Sequence, residues 1–160
     1  MTSSLYNVNF INPLLDAVVN VLSTMAGFDV QPGKPYLNKN RTALEDVTGI
    51  IKVDGYANGV IDFSLSKGAI LKIVNNMLFE NYTEINDEIK DAVGELTNMI
   101  TGQARSSLSE QGFSFQASTP TVITGKDSEL DHIPFAPILG IPFESEDGSL
   151  AVEFSLTDPN

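Results

Sequence analysis

The sequence predicts an α+β fold, an internally duplicated domain with two long related helices packed on a largely antiparallel β-sheet. The first observation is a repeated helix, because residues 16–27 (DAVVNVLSTMAG) and 91–102 (DAVGELTNMITG) share Asp, Ala, Val and the closing Gly. The second is a repeated strand, since residues 60–66 (VIDFSLS) return as residues 151–157 (AVEFSLT). Amphipathic helices of similar composition can match by chance, but two repeats in the same order favour duplication.

One domain accounts for the whole chain. Its 160 residues are close to the length of one typical domain, and 42% of them are hydrophobic, enough to build a core. We expect a single domain over residues 1–160, with a degenerate first repeat around 12–80 and a motif-bearing second repeat around 86–157.

The spacing of apolar residues predicts three helices. The first begins at Asn12, as a cap before Pro13, and ends at Gly27. The second is capped by Ser66, and the third runs from an Asn86 cap to about residue 110. Their apolar faces recur at helical spacing: Leu14, Val18, Val21 and Met25; Ile70, Ile73, Val74, Met77 and Leu78; Ile89, Val93, Leu96 and Ile100.

The rest of the chain reads mainly as strands. Asp54-Gly55 and Asp147-Gly148 are dipeptides that favour tight hairpins. Residues 31–46 are rich in Pro, Gly and polar side chains, which predicts a loop with at most one short strand. Pro120 predicts a bend or a sheet edge. The strand-like segments are Val47–Val53, Tyr56–Leu65, Phe113–Thr124, Ile133–Phe143 and Leu150–Leu156.

Composition excludes several functions. Without cysteine there is no disulfide, thiolate nucleophile or cysteine metal site, and a lone histidine, His132, leaves no His-rich zinc site. A net charge of −12 argues against nucleic acid or an anionic membrane as partner. No apolar run approaches the ~20 residues of a membrane span. Met1–Ser4 show no signal-peptide pattern, so we expect a cytoplasmic protein.

The third helix carries a polar stripe. At about 100° per residue, Asp91, Glu95 and Asn98 fall within roughly 60° of one another, opposite the apolar face. Gly94 lies beside this stripe and Gly102 lies on it. Each glycine costs about 1 kcal/mol relative to alanine inside a helix, which favours a role in the close approach of another molecule.

The stripe allows three interpretations. It can be a solvated helix face, or a set of three oxygen ligands for Mg²⁺. It can also be a site in which Glu95 acts as a base or pairs with a cation, while the amide of Asn98 holds a water for attack. The first helix has Asp16, Asn20 and Ser23 at the matching positions, without the Glu and the second Asn. If the stripe is a site, the second copy is therefore the functional one.

The run from Asp91 to Arg105 resembles the D/S-x₃-E-x₂-N signature of the CheC/CheX/FliY phosphatase family. Residues 98–105 (NMITGQAR) are similar to the CheX branch, and the resemblance extends over nearly the whole chain, from residues 10–13 (FINP) through 120–125 (PTVITG) to the final strand. The single motif copy also fits, because CheX-type members keep one motif where CheC-type members tend to keep two.

The resemblance implies dephosphorylation of the aspartyl phosphate of a CheY-type response regulator in chemotaxis. It implies that Asn98 orients the attacking water and that Glu95 pairs with the regulator's active-site lysine. Asp91, Gly94 and Gly102 would contact the regulator. Mg²⁺ would be held by the regulator, with no cofactor in this chain, and the protein would be a homodimer joined through a sheet edge.

Two other functions stay open from the sequence: a non-catalytic adaptor that binds response regulators, as in flagellar switch proteins, and a metal-dependent hydrolase using the carboxylates of the stripe. For the remaining polar residues, we expect His132 to lie at the surface or cap a turn. Arg105 is expected to form a local ion pair in preference to a contact with the partner. Met25, Met77 and Met99 are expected in the core.

Overall fold

The computed structural model describes residues 6–134 and 136–158. Met1–Ser4, from which the absence of a signal peptide was predicted, lie outside these ranges. The elements in chain order are α1 (Val8–Ala26), β1 (Gln31–Pro32), β2 (Tyr36–Leu37), β3 (Val47–Gly55), β4 (Asn58–Leu65), α2 (Lys67–Leu78), α3 (Asp87–Glu110), β5 (Phe115–Ala117), β6 (Thr121–Thr124), β7 (Leu139–Ser145) and β8 (Gly148–Thr157).

The strands form one antiparallel sheet in the order β1-β7-β8-β4-β3-β5. In addition, β2 pairs with β7 and β6 pairs with β3, both antiparallel. The helices α1 and α3 contact each other and cover one face of this sheet. The predicted α+β class with an antiparallel sheet is therefore confirmed.

Apart from α2, which lies between them, the two halves of the chain have the same element order, one long helix followed by four strands. They meet at the central β4–β8 pair, where Asp62 lies opposite Glu153, its counterpart in the strand repeat. The short strands of each half pair with the other half, β1 and β2 with β7, and β5 and β6 with β3. This arrangement supports the internal duplication, which stays a prediction.

The helix ends agree with two of the three predicted caps. Ser66 accepts a hydrogen bond from the Ala69 amide at 3.3 Å, and Asn86 accepts one from the Ile89 amide at 2.9 Å. The predicted start of α1 at Asn12 is wrong. The cap is Asn7, whose side chain accepts from the Asn9 amide at 2.8 Å. The earlier start leaves Pro13 inside the helix and buries Phe10.

Several predicted strand boundaries are wrong. Asp54-Gly55 is not the turn, because pairing with β5 extends β3 through Gly55 and moves the turn to Tyr56-Ala57. The second turn likewise lies at Glu146-Asp147, and Gly148 begins β8. Residues 31–46 contain two short strands, and the described residues between 133 and 138 form none. Pro120 directly precedes β6, which pairs only with β3 at the sheet edge, as expected.

The core contains the predicted apolar face of α3, since Ile89, Val93, Leu96 and Ile100 are fully buried. Two predicted core positions are exposed: Leu78 at the end of α2 is 49% exposed, and the other exception is Met25. It is 43% exposed, and Leu22 and Ala26 are buried in the last turns of α1 instead. By length and composition alone, α1 would suffice to span a membrane. Here its apolar side packs into this core, which accounts for its hydropathy.

The face of the sheet opposite the helices carries a buried polar cluster. His132 is only 5% exposed, so the predicted surface position is wrong. Its Nε2 lies 2.7 Å from Asp62 Oδ2 and its Nδ1 lies 2.7 Å from Ser155 Oγ. Glu153 accepts hydrogen bonds from Tyr36 at 2.5 Å and from Asn38. The cluster ties the segment around His132 to β4 and β8.

Burial sets the protonation of this cluster. It raises the pKa of Asp62 to about 7, and that of Glu153 to about 8, where the nearby Asp62 charge adds to the effect. Burial lowers the pKa of His132 to about 4 despite the attraction of the Glu153 carboxylate. The histidine is therefore neutral near pH 7, and the two carboxyl groups resist ionising together.

Candidate functional site

Helix α3 presents the predicted stripe to solvent. Asp91, Glu95 and Asn98 are all exposed, on the side opposite the buried residues of the helix. Their side chains make no hydrogen bond or ion pair with any residue in the part of the chain that the structure describes. The full hydrogen-bonding capacity of the Asn98 amide and the charge of Glu95 are therefore available to another molecule.

A close contact between α3 and β3 fixes the direction of this stripe. The Thr97 side chain is buried directly over Gly49, where a Cβ atom would overlap Thr97 Oγ1. Thr97 Oγ1 also donates a hydrogen bond to the Val93 carbonyl at 2.7 Å, so it needs no partner in the sheet. With Thr97 held against Gly49, the neighbouring residue Asn98 points outward.

A shallow groove runs between α3 and the edge strand β6. Its helix side contains the polar stripe, and its other side is apolar. The groove is lined by Lys90, Asp91, Gly94, Glu95, Asn98, Pro120 and Val122. The structure thus brings together four of the five predicted site residues, whereas Gly102 lies further along α3 and does not line the groove.

Gly94 keeps this groove open. A Cβ atom at this position would lie 3.6 Å from Val122 Cγ2, an ordinary van der Waals distance. The glycine is therefore not required by packing within the chain, and its effect is to leave space between α3 and β6. This agrees with the predicted role in the approach of a partner.

Sequence reasoning missed the apolar side of the groove, formed by Pro120 and Val122, and Lys90 at its end. Lys90 lies 3.7 Å from Asp87 in an exposed ion pair. The pairing of β6 with β3 brings Val122 next to α3, and the pattern of one strand does not reveal such a long-range contact. The only signal was that Pro120 marked a sheet edge.

The groove favours positioning over nucleophilic or metal chemistry. Within residues 6–134 and 136–158, no three His, Asp or Glu side chains are grouped to hold a metal ion. The stripe offers one amide and two carboxylates on an open helix face, a sparse donor set for Mg²⁺, which requires near-octahedral oxygen ligation. An amide can orient a water and bind an anionic oxygen, and a carboxylate can pair with a cation.

Residues 47–144 match the family model of the chemotaxis phosphatase CheX. The chain belongs to the CheX family. A similar curated protein is the CheY-P phosphatase CheX of Thermotoga maritima, 26% identical over 148 residues that cover 90% of this chain and 94% of the relative. The predicted family membership is confirmed.

Solved structures of CheX proteins share this fold. The chemotaxis protein CheX of Desulfovibrio desulfuricans is 42% identical, with a TM-score of 0.85 and coverage of 92% of this chain and 99% of the other. A chain of the CheX–CheY–BeF₃–Mg²⁺ complex from Borrelia burgdorferi is 23% identical, with a TM-score of 0.78 and coverage of 95% and 100%. At that identity the second likeness concerns the fold.

Proposed function

We propose that this CheX-family chain dephosphorylates phosphorylated CheY in chemotaxis signalling, with the α3 groove as its active site. The observation that carries the proposal is the exposed pair Glu95 and Asn98, whose side chains have no hydrogen-bond or ion-pair partner among the described residues and lie beside an open groove. The similar Thermotoga maritima protein is named a CheY-P phosphatase, which supports this substrate.

In this mechanism Asn98 enters beside the aspartyl phosphate of CheY and orients a water. The water oxygen attacks phosphorus, the bond from phosphorus to the aspartyl oxygen breaks, and inorganic phosphate and the free carboxylate leave. The water's protons pass to phosphate and solvent. An acyl phosphate has a good leaving group, so positioning supplies the acceleration without a nucleophile from this chain. Mg²⁺ belongs to the regulator in this scheme.

Glu95 acts in docking. Its carboxylate pairs with the regulator's active-site lysine, which sets the position of Asn98 one turn further along the helix. Asp91 borders the same contact. Gly94 lets the partner enter the groove, and Gly102 has no side chain that would obstruct the partner on the exposed side of the helix. The protein acts in the cytoplasm as a homodimer joined through a sheet edge, leaving the α3 groove accessible in both copies.

The test is the decay of a radiolabelled phosphoryl group on CheY in excess Mg²⁺. Wild type should accelerate decay, and Asn98→Ala should lose about 10²-fold in rate, the usual effect of removing one positioned donor. Glu95→Ala should mainly weaken binding. Ser23→Ala, at the matching position of α1, is the control and should keep the wild-type rate.

Other results would redirect the assignment. Binding of phosphorylated CheY without acceleration by wild type would favour the adaptor. Equal losses in Ser23→Ala and Asn98→Ala would contradict a single site on α3. Calorimetric binding of Mg²⁺ or Mn²⁺ by the isolated chain, abolished by Glu95→Ala, would favour the metal-dependent hydrolase.

A further inference from the structure

Arg105 lies on the same side of α3 as Asn98. Seven residues are nearly two helical turns, which returns the chain to the same face. Its guanidinium leans toward the start of the helix, as helical side chains do, and Nη2 lies 4.0 Å from the position of a Cβ on Gly102. The positive charge therefore reaches back along the stripe, toward the turn that carries Asn98.

The guanidinium of Arg105 forms no ion pair with any residue in the described part of the chain. The predicted local ion pair is wrong, since none of its nitrogens is paired there, and Nε is buried without an acceptor. Lys34, Lys39, Lys72 and Lys126 also have no ion pair among the described residues, but they are exposed, whereas Arg105 is partly buried. A partly buried cation without a partner is unfavourable, so an external anion would gain an uncompensated donor.

The side-chain stem of Arg105 is held in place by the core. It borders a small apolar cavity together with Leu108, Phe115 and Phe10. With Nε buried and Nη2 beside Gly102, the guanidinium lies close to the helix. It is suited to a contact with the surface of a docked protein, and not to entry into that protein's active site.

We propose that Arg105 pairs with a surface carboxylate of phosphorylated CheY and is a positioning residue for docking, an inference that rests on the proposed function. Glu95 and Arg105 then form a pair of opposite charges along α3, with Cα atoms about 15 Å apart along the helix axis. A partner that presents a cation and an anion at matching spacing binds in only one orientation along the helix. Arg105 thereby adds to the affinity of the docked complex without touching the phosphoryl group.

The experiment measures binding of CheY loaded with beryllofluoride and Mg²⁺, and separately KM and kcat for phosphorylated CheY. Arg105→Met keeps an apolar stem and removes the charge. It should raise Kd and KM on the order of fivefold and preserve kcat. Arg105→Lys should recover part of the affinity. Added salt should weaken the binding of CheY by the wild type more steeply than its binding by Arg105→Met. Lys72→Met, which removes an exposed charge on α2, is the control.

Unchanged Kd and salt dependence in Arg105→Met would overturn the proposal, as would a fall in kcat at constant KM. Circular dichroism establishes whether each variant folds, and Arg105→Lys retains a test if Arg105→Met does not. If wild type fails to accelerate phosphate loss, the proposed function fails. The beryllofluoride binding measurement then still decides whether Arg105 contacts the regulator.

Discussion

The stripes on α1 and α3 occupy equivalent places in the repeated sequence, but their surroundings differ, because the α3 stripe lines a groove beside the strand β6. On α1 the residue that matches Glu95 is Asn20, and its amide donates a hydrogen bond to Gln103 of α3 at 2.8 Å. The hollow beside Asp16 is lined by the end of α3, not by a strand edge. Both stripes are exposed, but one lies beside an apolar strand edge and the other beside a helix.

The two helices share most of their burial pattern. At an offset of 75, buried residues coincide at five positions: Leu14 with Ile89, Val18 with Val93, Val21 with Leu96, Leu22 with Thr97, and Ala26 with Thr101. Packing restricts these positions in both helices, because each must fit the same kind of sheet surface. The exposed stripe keeps Asp and Gly at two matching positions and differs at the two that carry the motif, where α1 has Asn20 and Ser23.

The prediction with the largest expected effect on rate transfers the motif from α3 to α1. Adding Asn20→Glu and Ser23→Asn to Asn98→Ala should leave the roughly 10²-fold loss of rate unrepaired. The physical reason is that the hollow beside Asp16 on α1 is lined by α1 and the end of α3, without the apolar strand edge that Pro120 and Val122 form beside the α3 stripe. The measurement is again the decay of phosphorylated CheY, with Asn98→Ala alone as the reference.

Recovery to a tenth of the wild-type rate or more would show that the Glu and Asn pair suffices without the groove. The site would then be a property of the helix face alone.

Local sequence patterns predicted the helices and the stripe because both depend on neighbouring residues. The period of α3 and the caps at Ser66 and Asn86 are set within a few residues. Long-range contacts decided the errors. Pairing with β5 carried β3 through Asp54-Gly55, and the central strands bury His132. For the same reason Val122, the apolar side of the groove, could not be predicted from its own segment.

The second test concerns the place where the halves meet, Asp62 and Glu153. Burial raises the pKa of these carboxyls to about 7 and about 8, so the folded chain binds protons that the unfolded chain releases near pH 4. The free energy of unfolding should therefore fall as pH rises from 6.5 to 8.5. The slope is up to about 1.4 kcal/mol per pH unit for each proton released. Urea denaturation at several pH values measures it.

The titration of His132 changes the free energy of unfolding in the opposite direction and at lower pH. The pKa of His132 is lowered to about 4, so its contribution to stability is lost as pH falls from about 6.5 through 4. Asp62→Asn should flatten the decline above pH 6.5, while Asp16→Asn, a change of an exposed carboxyl on α1, should not. A free energy of unfolding that stays constant between pH 6.5 and 8.5 would contradict the prediction that the Asp62 and Glu153 carboxyls bind protons in the folded chain.

The prediction with the smallest expected effect concerns Gly94, where stability and docking should change in opposite directions. At the matching position α1 has Val19. The Cβ of Gly94→Ala fits at 3.6 Å from Val122, so the variant should gain up to about 1 kcal/mol in free energy of unfolding from helix propensity. The same methyl group narrows the groove and should weaken binding of beryllofluoride-loaded CheY. Gly102→Ala, outside the groove, should gain similar stability with a smaller change in binding. Equal binding by wild type and Gly94→Ala would mean that the partner contacts the ridge of α3 without entering the groove.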